Sequence, residues 1–194
     1  MTTATRQLTL EEYLNYDDGT DTRYELVAGE LVAVPPESPQ NVQISLFLLT
    51  QLLRFVPIRQ LSNKVEIVVS GSRSTTRIPD LVVLTDELAA ILQGATRSTI
   101  TSDMPPPALV VEVVSPGKIN EDRDYRYKRS EYAARGIAEY WIVDPQIDRV
   151  TVLTLVEGLY EETVFAGNTA IASVTFPQLQ LTAAQVLNAG MGNG

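Results

Sequence analysis

Apolar positions along this chain recur at two periods, every second residue in some segments and every third or fourth in others, so strands and helices are both expected. In "NVQISLFLLTQLLRFV", Val42, Leu46, Leu49 and Leu53 stand at helical spacing, the pattern of a helix packed on a sheet. In "LVVEVVSP", alternation puts Val110, Glu112 and Val114 on one face of a core strand and Leu109, Val111 and Val113 on the other. "TRYELVAGELVAVP" predicts a hairpin about Ala28-Gly29, and "KVEIVVSG" with "TRIPDLVVLTDE" predicts a second one turning at "GSRST". "AEYWIVDP" reads as a buried strand ended by Pro145, and the tail from Arg149 to Thr182 as further strands that extend the sheet or fold over its edge.

Punctuation residues mark the helix ends. Thr9 followed by Glu12 has capping-box spacing and opens a short first helix. Gly94 stops "DELAAILQG", Gly136 closes a helical stretch from Asn120 to Arg135, and "AAQVLNAG" supplies a closing helix before a loosely held "MGNG". Strands and helices mix without strict alternation. The expectation is therefore one α/β domain over residues 1–194, a mixed central sheet flanked by helices on both faces, with extra C-terminal strands.

Composition narrows the chemistry. The chain has neither cysteine nor histidine, which excludes disulfides, thiol nucleophiles, histidine bases and the zinc sites built from those ligands. Carboxylate chemistry remains, and any metal would be a hard, oxygen-bound ion such as magnesium, manganese or calcium. The net charge of −9 argues against binding nucleic acid over the whole surface, though not against a local basic groove. Such a groove has candidates between Arg123 and Arg135, although a run of this kind is more often a solvated helix face. With no membrane-length apolar segment and no secretory h-region at Met1 to Arg6, a cytoplasmic protein is expected.

Two acids interrupt otherwise apolar strand faces. Glu112 sits mid-strand, and the same alternation along "RIPDLVVL" lines up Ile78, Asp80, Val82 and Leu84. A lone carboxylate in such a run needs a cation or donors. Neighbouring strands would bring Asp80 and Glu112 together and favour a bound cation, whereas an arginine partner would make Glu112 structural. Asp124, Lys128 and Tyr132, spaced i, i+4, i+8, share one helix face, either as a route for the Lys128 ammonium into the same site or as an ordinary surface pair. Asn41 and Gln43 begin the long helix, where an amide either caps it or donates to a phosphate. Tyr125, Tyr127 and Tyr132 suit nucleotide contact or helix packing, and Trp141 suits the core.

The order "IPD", "VEVVS", an acid–lysine–tyrosine helix, then "EYWIVDP" resembles the Uma-two family of restriction endonucleases within the PD-(D/E)XK nuclease superfamily, from about Thr9 to Pro145. The resemblance implies a restriction-endonuclease-like core, with Asp80 and Glu112 as ligands of Mg2+ (or Mn2+) and the backbone carbonyl of Val113 as a third. Val114 stands where the superfamily expects lysine, and the resemblance assigns that lysine's work to Lys128 on the helix. Glu25 in "YELVAGEL" matches a further family acid, a candidate for a metal-held water or second cation unless it is merely solvated at an edge.

The function implied is metal-dependent DNA hydrolysis. Asp80 and Glu112 would hold the ion, Lys128 would orient the nucleophile, and Arg123, Arg126 and Arg129 would contact the DNA backbone. A homodimer is expected, since cutting both strands takes two sites related by a two-fold axis. The alternative is a nuclease fold that no longer cleaves and serves as a DNA-binding or protein-interaction module; Val114 and the acidic charge favour it, the retained acids and Lys128 oppose it.

Overall fold

A computed structural model describes residues 7–69 and 73–189 of the chain. Helix α1 (Leu10–Leu14) precedes the hairpin β1 (Tyr24–Val27) and β2 (Glu30–Ala33), then the long helix α2 (Pro39–Leu52). Strands β3 (Leu61–Ser62), β4 (Glu66–Val69), β5 (Thr75–Arg77) and β6 (Leu81–Val83) lead to α3 (Asp86–Gln93) and β7 (Thr99–Ile100). Strand β8 (Leu109–Val113) is followed by α4 (Lys118–Asp122), which runs through a π-helical turn, Arg123–Lys128, into α5 (Arg129–Arg135). Strands β9 (Glu139–Asp144), β10 (Arg149–Val156) and β11 (Leu159–Phe165) and helix α6 (Ala183–Leu187) complete the order.

The central sheet has the order β11-β10-β9-β8-β6-β3. It is mixed, because β8 and β9 run parallel while the other pairs are antiparallel. Strands β8 and β9 are buried along their whole length, which explains their nearly continuous apolar runs. One face carries Leu109, Val111 and Val113 and packs on α2 and α6 through Ile44, Leu48, Leu52, Val186 and Leu187. The opposite face carries Val110, Val114 and Ile142 and packs on α3 and α5 through Leu88, Ala89 and Tyr132. The alternation in "LVVEVV" thus sorts these residues as its period requires.

The first hairpin forms as expected, with Leu26 opposite Leu31, and the Thr9–Glu12 capping box closes on α1. The second hairpin also forms, β4 against β5, while β7 adds a third, parallel strand. Gly136 ends α5 in the left-handed region, φ 80°, where a side chain is costly.

Three expectations are corrected. The apolar stripe of α2 does not run through Val42, Leu46 and Leu53, which are 38%, 46% and 40% exposed; Asn41, Ile44, Ser45, Leu48 and Leu52 are buried instead. The periodicity fits either face, and two polar residues disguised the one that packs. "RIPDLVVL" is not one strand but two in different sheets, β5 and β6, separated at Ile78-Pro79-Asp80, where proline lacks the N–H that a ladder needs. Beyond Phe165 the tail adds no strand among the described residues, only the bridge between Ala170 and Thr182. It is tied down by the buried Glu139 carboxylate, which accepts from Ser173 (3.1 Å) and from the Thr175 amide (2.7 Å). "MGNG" and Met1 to Arg6 lie outside the described residues.

The α2 register can be tested directly. Leu48→Ala should destabilise the protein by about 2–5 kcal/mol through its cavity, whereas Leu46→Ala should stay within about 0.5 kcal/mol. Urea denaturation checks both, and equal losses would contradict the observed face.

Candidate active site

Strands β6 and β8 pair with Leu81 opposite Val111, and that register continued by one residue sets Asp80 across from Glu112. Asp80 lies just before β6, and its carboxylate accepts the Val113 amide at 2.5 Å. The two acids therefore belong to one corner of the sheet. Both line a cleft of about 90 Å³, together with Glu25, Val113, Arg123 and Lys128.

Glu112 is buried, and its neutralising partner is an ammonium. Lys128 Nζ lies 2.7 Å from Glu112 Oε2 and 3.0 Å from Asp124 Oδ1, and Tyr132 Oη donates to Glu112 Oε1 at 2.6 Å. Asp124, Lys128 and Tyr132 thus do share one helix face, which is turned inward. The π turn carries the first two. Such a turn widens the helix locally and re-aims its side chains, a feature common at functional sites. Tyr140 Oη donates to the Asp124 carbonyl at 3.0 Å, which pins the turn to β9.

Negative charge exceeds positive charge here. Burial pushes Asp80 up to about 6, against the pull of Lys128 and the Val113 amide. Burial also pushes Glu112 up, with Asp80 and Asp124 adding to it and Lys128 opposing it. Burial pulls Lys128 down, but Glu112 and Asp124 more than reverse it, so the amine stays protonated. Asp124 Oδ2 is buried without a hydrogen-bond partner, a further uncompensated acceptor beside the cleft.

Neighbouring elements hold this corner in place. Asn41 Nδ2 on α2 donates to the carbonyls of Val113 (3.2 Å) and Val114 (3.4 Å) and to Ser115 Oγ (3.3 Å). Ser45 Oγ donates to the Asp80 carbonyl at 3.2 Å. The two polar members of the α2 stripe therefore grip both acid-bearing segments. Asn41 is neither the cap of the helix, a place taken by Ser38, nor turned to solvent.

Glu25 is not a solvated edge acid. It accepts from Arg77 Nη1 (3.1 Å) and the Ile78 amide (2.9 Å), and Arg77 also donates twice to Glu131 on α5, each at 2.7 Å. This buried cluster ties β1, β5 and α5 together just ahead of Asp80. Of the three arginines expected to meet DNA, Arg123 alone lines the cleft, where its Nε lies 3.2 Å from Asp124 Oδ1. Arg126 pairs with Asp122, while Arg129 reaches Glu162 (2.6 Å) and the Tyr160 carbonyl (3.0 Å) on β11. Tyr127 is exposed, Tyr125 donates to Asp144, and Trp141 is buried.

Sequence reasoning missed Ser45 and the Arg77–Glu131 pair, singled out Asn41 only as a cap or a phosphate donor, and left open what Tyr132 touches. The signal for Asn41 and Ser45 existed: at positions 41, 44, 45, 48 and 52 they complete a helical stripe whose other members are apolar. Nothing local could reveal that Arg77 meets Glu131, 54 positions away.

Lys128→Met should cost about 3–5 kcal/mol, because buried acids lose their counter-charge. Pairing it with Glu112→Gln should recover part of that loss in a denaturation double-mutant cycle. Strict additivity would deny the coupling.

Comparison with known proteins bears on the same residues. A search of curated proteins finds no match. Among solved structures, the "Crystal structure of a putative nuclease belonging to DUF820 from Anabaena variabilis" superposes with a TM-score of 0.70 at 16% identity, covering 95% of this chain and 99% of that one. At that identity the likeness establishes a shared fold. The profile of a family described as "Uma2: Putative restriction endonuclease" matches residues 10–184, from α1 to α6 and across the entire cleft. By that match the chain belongs to the Uma2 family.

Proposed function

We propose that this chain is a divalent-metal-dependent endonuclease of the PD-(D/E)XK type, hydrolysing phosphodiester bonds in DNA. The observation that carries the reading is the Lys128 ammonium, delivered by a helix to within 2.7 Å of Glu112 in the cleft that Asp80 also lines. Family membership supports it.

The donor set fits a hard cation. Among the described residues no three Asp or Glu side chains converge as a ready-made metal cage. Asp80, Glu112 and the Val113 carbonyl offer a smaller oxygen set, which suits magnesium, an ion that keeps several waters and is completed by substrate phosphate. The Val113 carbonyl has a second lone pair beside the one that Asn41 occupies. The buried, mutually repelling acids supply the charge such an ion would neutralise. When bound, the ion would polarise the phosphate and make water a stronger nucleophile.

The chain's own groups do the positioning. Lys128, kept protonated by its two acids, acts as a fixed cation that steadies charge on the phosphoryl oxygens; it is no proton acceptor. Its approach from the helix compensates for Val114, which is buried in the apolar cluster on the Glu112 side of the sheet. Arg123 stands at the cleft to meet a phosphate, and Glu25 aligns the backbone that presents Asp80.

Plasmid nicking with Mg2+ or Mn2+ tests the reading. Asp80→Ala, Glu112→Ala and Lys128→Ala, each verified as folded by circular dichroism, should lose about a hundredfold or more in rate. Activity surviving in Asp80→Ala would refute the metal assignment, and absence of cleavage on every DNA tried would favour a non-cleaving binding module.

A pH dependence follows as well. Asp80 and Glu112 must both give up their protons to a metal, so Mn2+ affinity measured by calorimetry should be weak below about 6, rise as the pH passes that value and rise further as the more strongly raised Glu112 ionises. Asp80→Asn should abolish the first step.

A further inference from the structure

A second, larger cleft of about 310 Å³ adjoins the acidic one, and Arg23 and Ile78 line both. Its volume lies at the small end of the range that binds ligands, about 300–1,000 Å³. Ile78 is two residues from Asp80, so the two clefts are at most ~7 Å apart along the backbone. The floor is the buried Glu66, which accepts from the Thr99 hydroxyl (2.9 Å), from Arg97 (3.2 Å) and from the Tyr13 hydroxyl.

The walls differ in character from the rest of this acidic protein. Arg23, Lys64 and Arg97 outnumber Glu66 as charged lining groups, in a chain of net charge −9. Among the described residues neither Arg23 nor Lys64 makes an ion pair, whereas Arg97 is held by Glu66 and the Leu14 carbonyl with its guanidinium 5.3 Å from the Tyr13 ring centre. Tyr16 and Tyr24 meet edge to face at 5.8 Å, and Asp18 fixes Tyr24 by accepting its hydroxyl at 2.7 Å. Tyr24 thereby braces Tyr16, a residue that is 42% exposed. A braced, half-exposed ring beside unpaired cations is the pattern that binds single-stranded nucleic acid, with bases on aromatic faces and phosphates on the cations.

We infer that this tyrosine-and-cation cleft is a subsite for an unpaired nucleotide next to the cleaved phosphate, with Tyr16 as stacking platform and Arg23 and Lys64 as phosphate contacts. The inference rests on the proposed nuclease reading for the word "cleaved" alone. A duplex keeps its bases stacked inward, so the preferred substrate is single-stranded DNA or a nucleotide extruded from a duplex.

Fluorescence anisotropy of the full chain with labelled oligothymidylate, and with the same strand annealed to its complement, tests the subsite without any cleavage. The single strand should bind more tightly. Tyr16→Ala should weaken single-strand binding roughly tenfold while leaving its salt dependence intact, and Tyr16→Trp should restore it. Lys64→Ala should lower the slope of log affinity against log salt by about one. A duplex preference, or unchanged single-strand affinity in Tyr16→Ala, would overturn the subsite even if the protein nicks DNA. Tyr16-dependent single-strand binding by a protein that never cleaves would support the subsite and refute the nuclease reading instead.

Discussion

One ammonium holds the acidic corner of this protein together. Lys128 lies between Glu112 and Asp124, each almost wholly buried, and no other cation is in ion-pair contact with Glu112 among the described residues. Charges withdrawn from water survive only when paired and hydrogen-bonded. The strand can therefore carry a glutamate at its centre because a helix brings a lysine to it. Tyr132, two helical turns beyond Asp124, satisfies the other Glu112 oxygen from the same direction.

That arrangement demands precise docking of several elements, and the polar residues in unusual places supply it. Asn41 and Ser45 interrupt the apolar stripe of α2 at a cost in buried hydrophobic area, yet they fix the backbone at Val113 and at Asp80. Arg77 is buried between Glu25 and Glu131, so the first hairpin, β5 and α5 cannot shift independently. Buried ion clusters of this kind contribute little net stability, but removing one partner strands the other charges at a cost of about 3–5 kcal/mol. The cluster also holds the backbone at Ile78, two residues before Asp80, through Glu25.

How legible this was depends on the range of the interaction. Local rules read well: the capping box at Thr9, the stop at Gly136, the hairpin at Ala28-Gly29 and the alternation of β8 all stand in the structure. The pairing of Asp80 with Glu112 was legible as a conditional statement, awaiting only the adjacency of β6 and β8. Errors arose where two local readings competed. Helical periodicity in α2 admitted an all-apolar stripe, and tertiary packing chose the one containing Asn41 and Ser45 because their donors were needed. The break at Pro79 was written in the chain, but β-like residues on both sides masked it. The π turn has no sequence signature to read, although it carries the buried Asp124 and Lys128.

Valine at position 114 has a structural consequence of its own. A lysine at position 114 would have to thread its stem through the cluster that Val114, Tyr132 and Tyr140 now fill. With valine there, the sheet face closes as apolar core, and the cation that meets Glu112 comes from the segment between α4 and α5. That segment is anchored at several points, among them Tyr140 to the Asp124 carbonyl, Arg129 to β11, and Glu131 to Arg77. The position of the Lys128 ammonium thus becomes coupled to packing of the C-terminal strands, because β11 holds Arg129 one residue from Lys128. Strands β10 and β11, which look like additions to the sheet's far edge, help fix the cation at its centre.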